Sequence, residues 1–354
     1  MSRTVAVVGA TGAVGEDLRR LLELREFPVD DVRFVASSRS AGKELPFRDG
    51  TVVVRDVEDP DVFEGVDLAL FSAGGSTSKA HAPKAVEAGA IVVDNSSAWR
   101  MDPQVPLVVS EVNADAMETV RGAGKDGGGR GIVANPNCTT MFATLPLKAL
   151  HDAFGLTGFT ATSFQAAGGA GQGGLDELEA QFAPMLAQPD LLRHDGQAAM
   201  KLVDPPQVHS DVLAFNAVPL LGGMDDAGYT DEEMKLVNES RKILSLPGLA
   251  VAPTCVRVPV MVGHALAIRA EFTDPVRSVA DAIASMDGFP NLVVEQAPTP
   301  LEWAGRDETA VGRVRLDLHD PHALNFWVTG DNLLKGAALN TVQLAEELVR
   351  RELV

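Results

Sequence analysis

Residues 4–27 read TVAVVGATGAVGEDLRRLLELREF. A short apolar run ending at Val8 is followed by a glycine-rich turn and then by a helical pattern. That pattern places Leu18, Leu21 and Leu22 on one face of the helix. Strand, turn and helix in this order predict the opening unit of a parallel α/β sheet.

The same alternation continues along the first part of the chain. Further strand-like runs lie at 32–36, 66–72, 90–96 and 131–136, and a helical pattern lies at 79–89. Strands alternating with helices predict a doubly wound, Rossmann-like parallel sheet with right-handed crossovers. The glycine-rich stretch 122–131 lacks the Gly-Lys-Ser/Thr ending of a phosphate loop, so we expect a mobile surface loop there.

Beyond Cys138 the strand-like stretches are longer and alternate with two helical segments, which predicts an α+β domain on a mixed or antiparallel sheet. The last segment carries apolar residues at near-helical spacing, at Leu339, Val342, Leu344, Ala345 and Leu348. We expect it to pack back on the first domain. The predicted organisation is therefore one domain at 1–137, completed by 331–354, and a second at 138–330.

The composition is that of a globular protein and excludes several classes of function. The chain has 354 residues, of which 45% are apolar, and a net charge of -19 that disfavours binding to nucleic acid or to an anionic membrane surface. No apolar stretch approaches the roughly 20 residues of a membrane helix. Arg3 is the only charged residue before the strand-like run that begins at Thr4. We therefore expect no signal peptide and a cytoplasmic location. An anionic substrate would need a local pocket of Arg or Lys.

The glycines of the opening turn have the spacing of a dinucleotide site. Gly9 allows the tight turn, Gly12 lets the backbone approach a pyrophosphate, and Gly15 lets helix and strand pack closely. The alternative is a turn that merely needs small residues. The second strand ends in SSRS, residues 37–40, instead of the acid that binds the NAD ribose, which favours NADP. A solvated turn explains SSRS equally well.

Cys138 lies between a strand-like run and a helical stretch. A thiol there stands at the carboxyl edge of the sheet and at a helix N-terminus, whose dipole favours thiolate. A buried structural cysteine fits the position as well. Cys255 lies in an apolar run and is predicted to be core, with no disulfide between the two. His264 is a candidate proton-transfer partner, whereas His319 and His322 are interpreted as surface residues without a third metal ligand, so no metal is expected.

Candidate cations for an anionic substrate are Arg100, Arg257 and Lys235. Thr230 and Glu233 have the spacing of a capping box, which predicts a helix start that puts Glu232 and Lys235 on its first turns. The alternative for each cation is a solvated surface charge, which is the commoner fate of any one Lys or Arg.

Taken together, seven motifs resemble aspartate-semialdehyde dehydrogenases, in the same order along nearly the whole chain. They are GATGAVG, SSRS, DNSSAWR, NPNCTT, SFQAAGGAG, CVRVPVMVGH and GDNLLKGAALN. The resemblance implies reversible reductive dephosphorylation of L-4-aspartyl phosphate by NADPH, toward lysine, diaminopimelate, methionine and threonine. It also implies a nucleotide domain, a catalytic and dimerisation domain, and a homodimer or a tetramer of such dimers.

The resemblance assigns roles to residues of the second domain. Cys138 matches the nucleophile that forms a thioester, Gln165 matches the residue that orients the acyl intermediate, and His264 matches the acid/base residue for the hemithioacetal oxygen. Asn137 helps to place the carbonyl oxygen.

Substrate and cofactor contacts follow in the same way. Arg257 grips the α-carboxylate and Glu232 meets the α-ammonium, while Arg100 and Lys235 form the phosphate site. The implied cofactor-binding residues are Gly9, Thr11, Gly12, Ala13, Val14, Gly15, Ser38, Arg39, Ser40, Ser72, Gly168, Gly169 and Asn332.

Two departures from the family pattern bear on cofactor affinity. Gly168 stands where the family often has serine, and Leu334 stands where it usually carries arginine. Among rivals, N-acetyl-γ-glutamyl-phosphate reductase typically has Gly-Cys-Tyr-Pro-Thr around its nucleophile, and glyceraldehyde-3-phosphate dehydrogenase has Ser-Cys-Thr-Thr-Asn. Neither context is present. An inactive NADP-binding scaffold has no use for the combination of Cys138, Gln165, Arg257 and His264.

Overall fold

The structure is a computed structural model that describes residues 3–121 and 131–354. The chain divides into two compact units. The first unit is Met1–Asn137, Lys242–Leu244 and Leu334–Val354, and the second is Cys138–Arg241 and Ser245–Leu333. Residues 122–130, which make up most of the expected surface loop, lie outside the described residues.

The first unit is built on a six-stranded parallel sheet beside a small hairpin. Its strands are β1 (Thr4–Val8), β2 (Asp31–Ala36), β3 (Glu44–Phe47), β4 (Gly50–Val53), β5 (Arg55–Asp56), β6 (Leu68–Phe71), β7 (Ile91–Asp94) and β8 (Ile132–Ala134). The order β5-β2-β1-β6-β7-β8 confirms the Rossmann-like prediction. It changes direction at β1, so the carboxyl end of β1 lies at the switch point where α/β proteins bind ligands. The hairpin β3–β4 and the two-residue β5 were not predicted, because they are short and largely exposed.

Three helices of this unit follow its strands in sequence: α1 (Ala13–Leu24), α2 (Gly75–Glu87) and α3 (Ser110–Asn113), the last continued by a 3₁₀ segment, Ala114–Val120. The buried face of α1 carries Leu18, Leu21 and Leu22, as its periodicity predicts.

The second unit contains a mixed six-stranded sheet, as predicted. Its strands are β9 (Leu156–Gln165), β10 (Ala250–Arg257), β11 (His264–Phe272), β12 (Leu292–Val294), β13 (Thr309–Leu316) and β14 (Ala323–Gly330). In the order β10-β9-β11-β14-β13-β12, the outermost pair on each side is parallel and the inner pairs are antiparallel. Strand β13 was not predicted, because Arg313 and Arg315 interrupt its apolar pattern. The pairing of β13 with β14 is irregular at the same point.

Helices of the second unit include one that is buried along most of its length. They are α4 (Cys138–Phe154), α5 (Gln172–Leu186), α6 (Pro189–His194), α7 (Gly196–Met200), α8 (Asp231–Ile243, whose last two residues count with the first unit), α9 (Val279–Met286) and α10 (Pro300–Trp303). Buried side chains run from Thr139 to Leu150 of α4 with few interruptions. None of the helices within residues 3–121 and 131–354 is both long and apolar enough to cross a membrane.

The C-terminal segment returns to the first unit. A π-helical turn, Leu334–Ala338, leads into α11 (Leu339–Arg350). The apolar residues of α11 belong to the same buried cluster as those of β1 and α1, and so does Leu334. The first unit resumes at Leu334 and not at the predicted 331, because the side chains of Asp331 and Asn332 accept hydrogen bonds from the backbone of Gly305 and Gly263 in the second unit.

Candidate active site

The glycine turn after β1 forms an anion cradle in the first unit. Gly9 has a φ of 90°, and a Cβ there would collide with the carbonyl oxygen of Ser72. A Cβ at Gly15 would likewise collide with the carbonyl oxygen of Gly9. Gly12 caps α1 without any side-chain hydrogen bond, so the first-turn N–H groups are covered by no side chain. This backbone fits a dinucleotide pyrophosphate at a helix N-terminus.

The other expected cofactor residues of the first unit surround this turn. Ala13 and Val14 begin α1, and the Thr11 hydroxyl lies 3.4 Å from that of Ser40. Ser38 and Arg39 are exposed, and Ser72 directly follows β6. The structure therefore places the SSRS segment beside the glycine turn, without an acidic side chain among residues 37–40.

Arg100 is buried in the first unit, at the carboxyl ends of neighbouring strands. Its Nε donates to the carbonyl oxygen of Asn135 at 2.9 Å, and its Nη2 donates to that of Asn95 at 3.0 Å. Lys242 donates to the carbonyl oxygens of Arg100, Asp102 and Val105, each at 2.8 Å. The position of Arg100 is thus set by main-chain groups. Asn137, which is also buried, is the last residue of the first segment of this unit.

Cys138 is the first residue of α4 and of the second unit, and its side chain is half-buried. A helix N-terminus stabilises a thiolate. Cys255, by contrast, is fully buried, and burial raises its pKa to about 12. Both cysteines are thiols, as predicted, and Cys255 is core.

Gln165, the last residue of β9, links the start of α4 to α8. Its Nε2 donates to the Thr139 hydroxyl at 2.7 Å and to Glu232 Oε1 at 3.3 Å. The other oxygen of Glu232 accepts from Lys235 Nζ at 2.9 Å. Glu232 and Lys235, one turn apart on α8, therefore form an ion pair at the amide of Gln165.

The capping box that starts α8 is present as predicted. Thr230 N–H donates to Glu233 Oε2 at 2.8 Å, and Glu233 N–H donates to the Thr230 hydroxyl at 3.3 Å. The second oxygen of Glu233 accepts from the backbone N–H of Cys255 at 3.0 Å. The helix that carries Glu232 and Lys235 is therefore fixed to strand β10.

His264 is completely buried at the start of β11, and its tautomer is defined by its neighbour. Nδ1 accepts a hydrogen bond from the backbone N–H of Ala166 at 3.0 Å, so the proton of the neutral ring resides on Nε2. Nε2 is buried and has no hydrogen-bond partner among residues 3–121 and 131–354. Burial, with a smaller effect of Arg257, lowers the pKa of His264 to about 3. The site therefore holds a neutral imidazole with an unused N–H donor.

Arg257 ends β10 and reaches the same point as His264. Its Nη1 donates to the carbonyl oxygen of Ala166 at 2.7 Å. A Cβ added at Gly169 would lie 2.7 Å from Arg257 Nη1 and 3.0 Å from His264 Nε2, so both nitrogens converge on this glycine. Burial lowers the pKa of Arg257, while the charges of Glu232 and Cys138 raise it. An arginine remains a cation under these influences.

Gly168 and Asn332 lie side by side in the second unit. Asn332 Oδ1 accepts from Gly263 N–H at 2.8 Å, whereas its Nδ2 is buried and has no hydrogen-bond partner within the residues that the structure describes. A Cβ at Gly168 would lie 3.6 Å from that nitrogen. Because residue 168 is glycine where the family often has serine, no side-chain acceptor reaches the Asn332 Nδ2 group from this position.

The expected site residues divide between the two units. The second unit brings together Cys138, Gln165, Gly168, Gly169, Glu232, Lys235, Arg257, His264 and Asn332. The first unit holds the glycine turn, Ser38, Arg39, Ser40, Ser72, Arg100 and Asn137. Sequence reasoning missed the backbone of Ala166, which contacts both His264 and Arg257. These contacts use the main chain, which is the same for every residue type, so the sequence gives no indication of them. Within the described residues there is no group of three or more His, Cys, Asp or Glu side chains that could hold a metal ion.

Comparison with known proteins shows which family the chain belongs to. Residues 4–120 match the family model described as semialdehyde dehydrogenase, NAD binding domain, and residues 147–335 match semialdehyde dehydrogenase, dimerisation domain. The chain is 50% identical over 353 residues to aspartate-semialdehyde dehydrogenase of Streptomyces akiyoshiensis, which covers 99% of each chain.

The chain belongs to the aspartate-semialdehyde dehydrogenase family. It is also 49% identical over 353 residues to aspartate-semialdehyde dehydrogenase of Corynebacterium glutamicum, covering 98% of this chain and 99% of that one. The crystal structure of aspartate-semialdehyde dehydrogenase II from Vibrio cholerae, complexed with ASA, superposes with a TM-score of 0.90. It shares 41% identity and covers 99% of each chain. As a member of the aspartate-semialdehyde dehydrogenase family, the chain is an oxidoreductase with a nucleotide-binding domain and a dimerisation domain.

Proposed function

We propose that the chain catalyses the reversible, NADPH-dependent reductive dephosphorylation of L-4-aspartyl phosphate to L-aspartate 4-semialdehyde and phosphate. The observation that carries the proposal is the cluster of the second unit. There Cys138 starts α4, and the side chains of Arg257 and His264 converge on Gly169. The reaction would serve the biosynthesis of lysine and diaminopimelate, methionine and threonine.

The charges of the site suit an amino acid that carries an acyl phosphate. Arg257 is proposed to hold the α-carboxylate, because a planar guanidinium binds a carboxylate through two parallel hydrogen bonds. Glu232 and Lys235 neutralise each other in the absence of substrate. The substrate ammonium is proposed to bind Glu232, and the substrate phosphate is proposed to bind Lys235. The resemblance of the sequence motifs adds Arg100, a residue of the first unit, to the proposed phosphate contacts.

In the first proposed step, the Cys138 thiolate attacks the acyl carbon. The carbon–oxygen bond to phosphate breaks, a thioester forms, and the departing phosphate takes up one proton from solvent. Gln165 is proposed to hold the acyl oxygen, together with the neighbouring Asn137. The Gln165 amide is preoriented for this by its bond to Thr139 at 2.7 Å.

In the second step, the thioester carbonyl becomes an alkoxide. NADPH, when bound, supplies the hydride that adds to this carbon. Nε2–H of His264 donates a hydrogen bond to the developing oxyanion, which fits its buried, unused donor. The alkoxide collapses, the carbon–sulfur bond breaks, and the thiolate of Cys138 is restored with release of the aldehyde. His264 serves as a neutral donor, since protonation at Nδ1 would cost the hydrogen bond from Ala166.

NADP is proposed in preference to NAD on the basis of the SSRS segment. Exposed Arg39 and the hydroxyls of Ser38 and Ser40 suit a 2′-phosphate, and no acid is present there to hold a ribose diol. The pyrophosphate would be held by residues 9–15, whose backbone leaves no room for a Cβ at Gly9 or Gly15. Ser72, Gly168, Gly169 and Asn332 are proposed to approach the rest of the cofactor.

A homodimer, or a tetramer of such dimers, is proposed to form through the mixed sheet of the second unit. Its free face carries the paired rings of Phe164 and Trp327, with centroids 5.5 Å apart, and both side chains are only half-buried. Thr160 and Ala267 are exposed on the same face. Large aromatic side chains with small neighbours are typical of the centre of a protein interface. A cytoplasmic location is proposed with this assignment.

The proposed reaction is tested with the purified protein, phosphate, NADP⁺ and L-aspartate 4-semialdehyde, by following NADPH absorbance. We expect phosphate-dependent turnover, greater than with NAD⁺. It falls at least about a thousandfold in Cys138→Ala and persists in the matched variant Cys255→Ala. Turnover with N-acetylglutamate 5-semialdehyde alone would assign the chain to the rival reductase. Bound NADP without turnover of either aldehyde would indicate an inactive scaffold.

A further inference from the structure

Lys335 is a charged side chain that the proposed reaction does not use, yet it is wholly buried in the first unit. It lies in the π-helical turn Leu334–Ala338 that precedes α11. Its Nζ donates to both oxygens of Glu111, at 2.6 and 2.8 Å, and to Gln343 Oε1 at 2.7 Å. A buried ammonium is tolerated only when it is paired in this way.

The Lys335 ammonium also starts a chain of side-chain amides. It donates to Asn340 Oδ1 at 2.9 Å, and Asn340 Nδ2 donates to Asn135 Oδ1 at 2.5 Å. Asn135 Nδ2 in turn donates to Asn95 Oδ1 at 2.6 Å. The Asn95 Nδ2 group then lies 3.5 Å from the Ser72 hydroxyl oxygen. We call Lys335, Asn340, Asn135 and Asn95 the amide chain.

The direction of the amide chain is fixed at each link. An ammonium only donates, so the oxygen of Asn340 must face Lys335. A carbonyl only accepts, and Asn340 Nδ2 also faces the carbonyl of Val108 at 3.0 Å. Asn135 Nδ2 similarly faces the carbonyl of Ala337 at 3.4 Å. Reversing either amide would set two oxygens against each other. The charge of Lys335 and these two carbonyls therefore fix the same orientation as far as Asn95.

The amide chain ends beside Arg100, the arginine of the proposed phosphate site. Asn135 and Asn95 hold Arg100 through their main-chain oxygens, at 2.9 and 3.0 Å. The side chains of the same two residues are tied to each other. The guanidinium of Arg100 is therefore bound to two backbone segments whose asparagine side chains are members of the amide chain.

We propose that Lys335 is a positioning residue for Arg100, acting through Asn340, Asn135 and Asn95. This rests on the proposed function, which assigns Arg100 to phosphate. The orientation of the chain has a second effect at Ser72. There the Asn95 Nδ2 group faces the Ser72 hydroxyl oxygen at 3.5 Å.

The test compares Asn340→Asp with Gln343→Glu. Each variant replaces an amide that accepts a hydrogen bond from Lys335 with a carboxylate of nearly the same size. Only Asn340→Asp also removes the N–H group that donates to Asn135. In the phosphorylating direction, we expect the KM for phosphate to rise about tenfold in Asn340→Asp, with kcat at saturating phosphate within about twofold. The KM for the aldehyde stays unchanged, since Arg257 and Glu232 are not members of the amide chain. Gln343→Glu keeps the phosphate KM of the wild type.

Several outcomes decide the matter. Equal phosphate KM values in Asn340→Asp and wild type, or equal increases in the two variants, would overturn the inference. A parallel rise of both KM values in Asn340→Asp would show a merely structural role. If Asn340→Asp does not fold, Asn340→Ser keeps an oxygen near Lys335 but is too short for Asn135, and the same phosphate-specific increase is expected. Absence of phosphate-dependent turnover in the wild type would overturn the proposed function together with this inference.

Discussion

Gly168 shows how one missing side chain affects a buried neighbour. In the described part of the chain, the buried Asn332 Nδ2 has no hydrogen-bond partner. A Cβ at position 168 would lie 3.6 Å from this nitrogen and 3.0 Å from the Met261 carbonyl oxygen. Gly168→Ser adds an acceptor, whereas Gly168→Ala brings the same crowding at Met261 without one. We expect the serine variant to be more stable than the alanine variant by about 1 kcal/mol, measured by urea unfolding. Equal stability of the two variants would mean that Asn332 does not use the hydroxyl.

The imidazole of His264 predicts a pH dependence of stability. Burial lowers its pKa to about 3, against an unfolded value of 6.5, so between these values the unfolded chain binds the extra proton. Stability is therefore retained above pH 6.5 and is lost as the pH falls toward 3, by up to about 1.4 kcal/mol per pH unit from this group.

His264→Gln provides the reference for that prediction. Carboxylates titrate similarly in both proteins, so the difference between the two curves of unfolding free energy isolates His264. We expect the wild type to lose stability more steeply on acidification below pH 6.5. Parallel curves would contradict a depressed pKa at this position.

At the scale of the element, the start of α8 combines a helix cap with a cross-link to β10. Thr230→Ala removes one capping acceptor and is expected to cost about 1 kcal/mol. Glu233→Ala removes the reciprocal cap and leaves the buried N–H of Cys255 without its acceptor, so we expect about 2–3 kcal/mol. Thermal unfolding of the two variants measures the difference. Because α8 carries Glu232 and Lys235, the KM for substrate should rise in the same order, and a reversed order would refute the cross-link.

The elements found from the sequence are those whose apolar pattern is complete. β6, β7 and β8 are buried throughout, and β1 is buried except at Thr4; all four were predicted from their apolar runs. β13 and the hairpin of the first unit were missed, because their side chains are partly exposed and no periodicity marks them. The pattern of a strand is visible only where burial imposes it.

The same limit applies to the site. The helix start at Cys138 and the capping box at Thr230 are local and were predicted from neighbouring residues. The amide chain joins residues more than two hundred positions apart, as in the hydrogen bond between Asn135 and Asn340. Such contacts depend on tertiary packing, and asparagines spaced this way carry no local signal.

At the scale of the molecule, charge is distributed unevenly between surface and site. The net charge of -19 disfavours polyanions, yet Arg100 is buried and Arg257 is half-buried. A buried guanidinium acts on a bound anion through a low dielectric, whereas surface acids act through water. An acidic protein can therefore take a small anion while it repels large ones.

Apart from Lys242–Leu244, the chain leaves the first unit after Asn137 and returns to it at Leu334, so α11 fills a core whose strands were made much earlier. On the ribosome, a nascent chain emerges from its N-terminus and its domains generally fold as they appear. Here the buried core of the first unit is complete only once α11 has been translated. The second unit, nearly continuous from Cys138, has its sequence earlier. The apolar flank that Leu339 and Leu344 later cover is thus the surface that a chaperone would meet during translation.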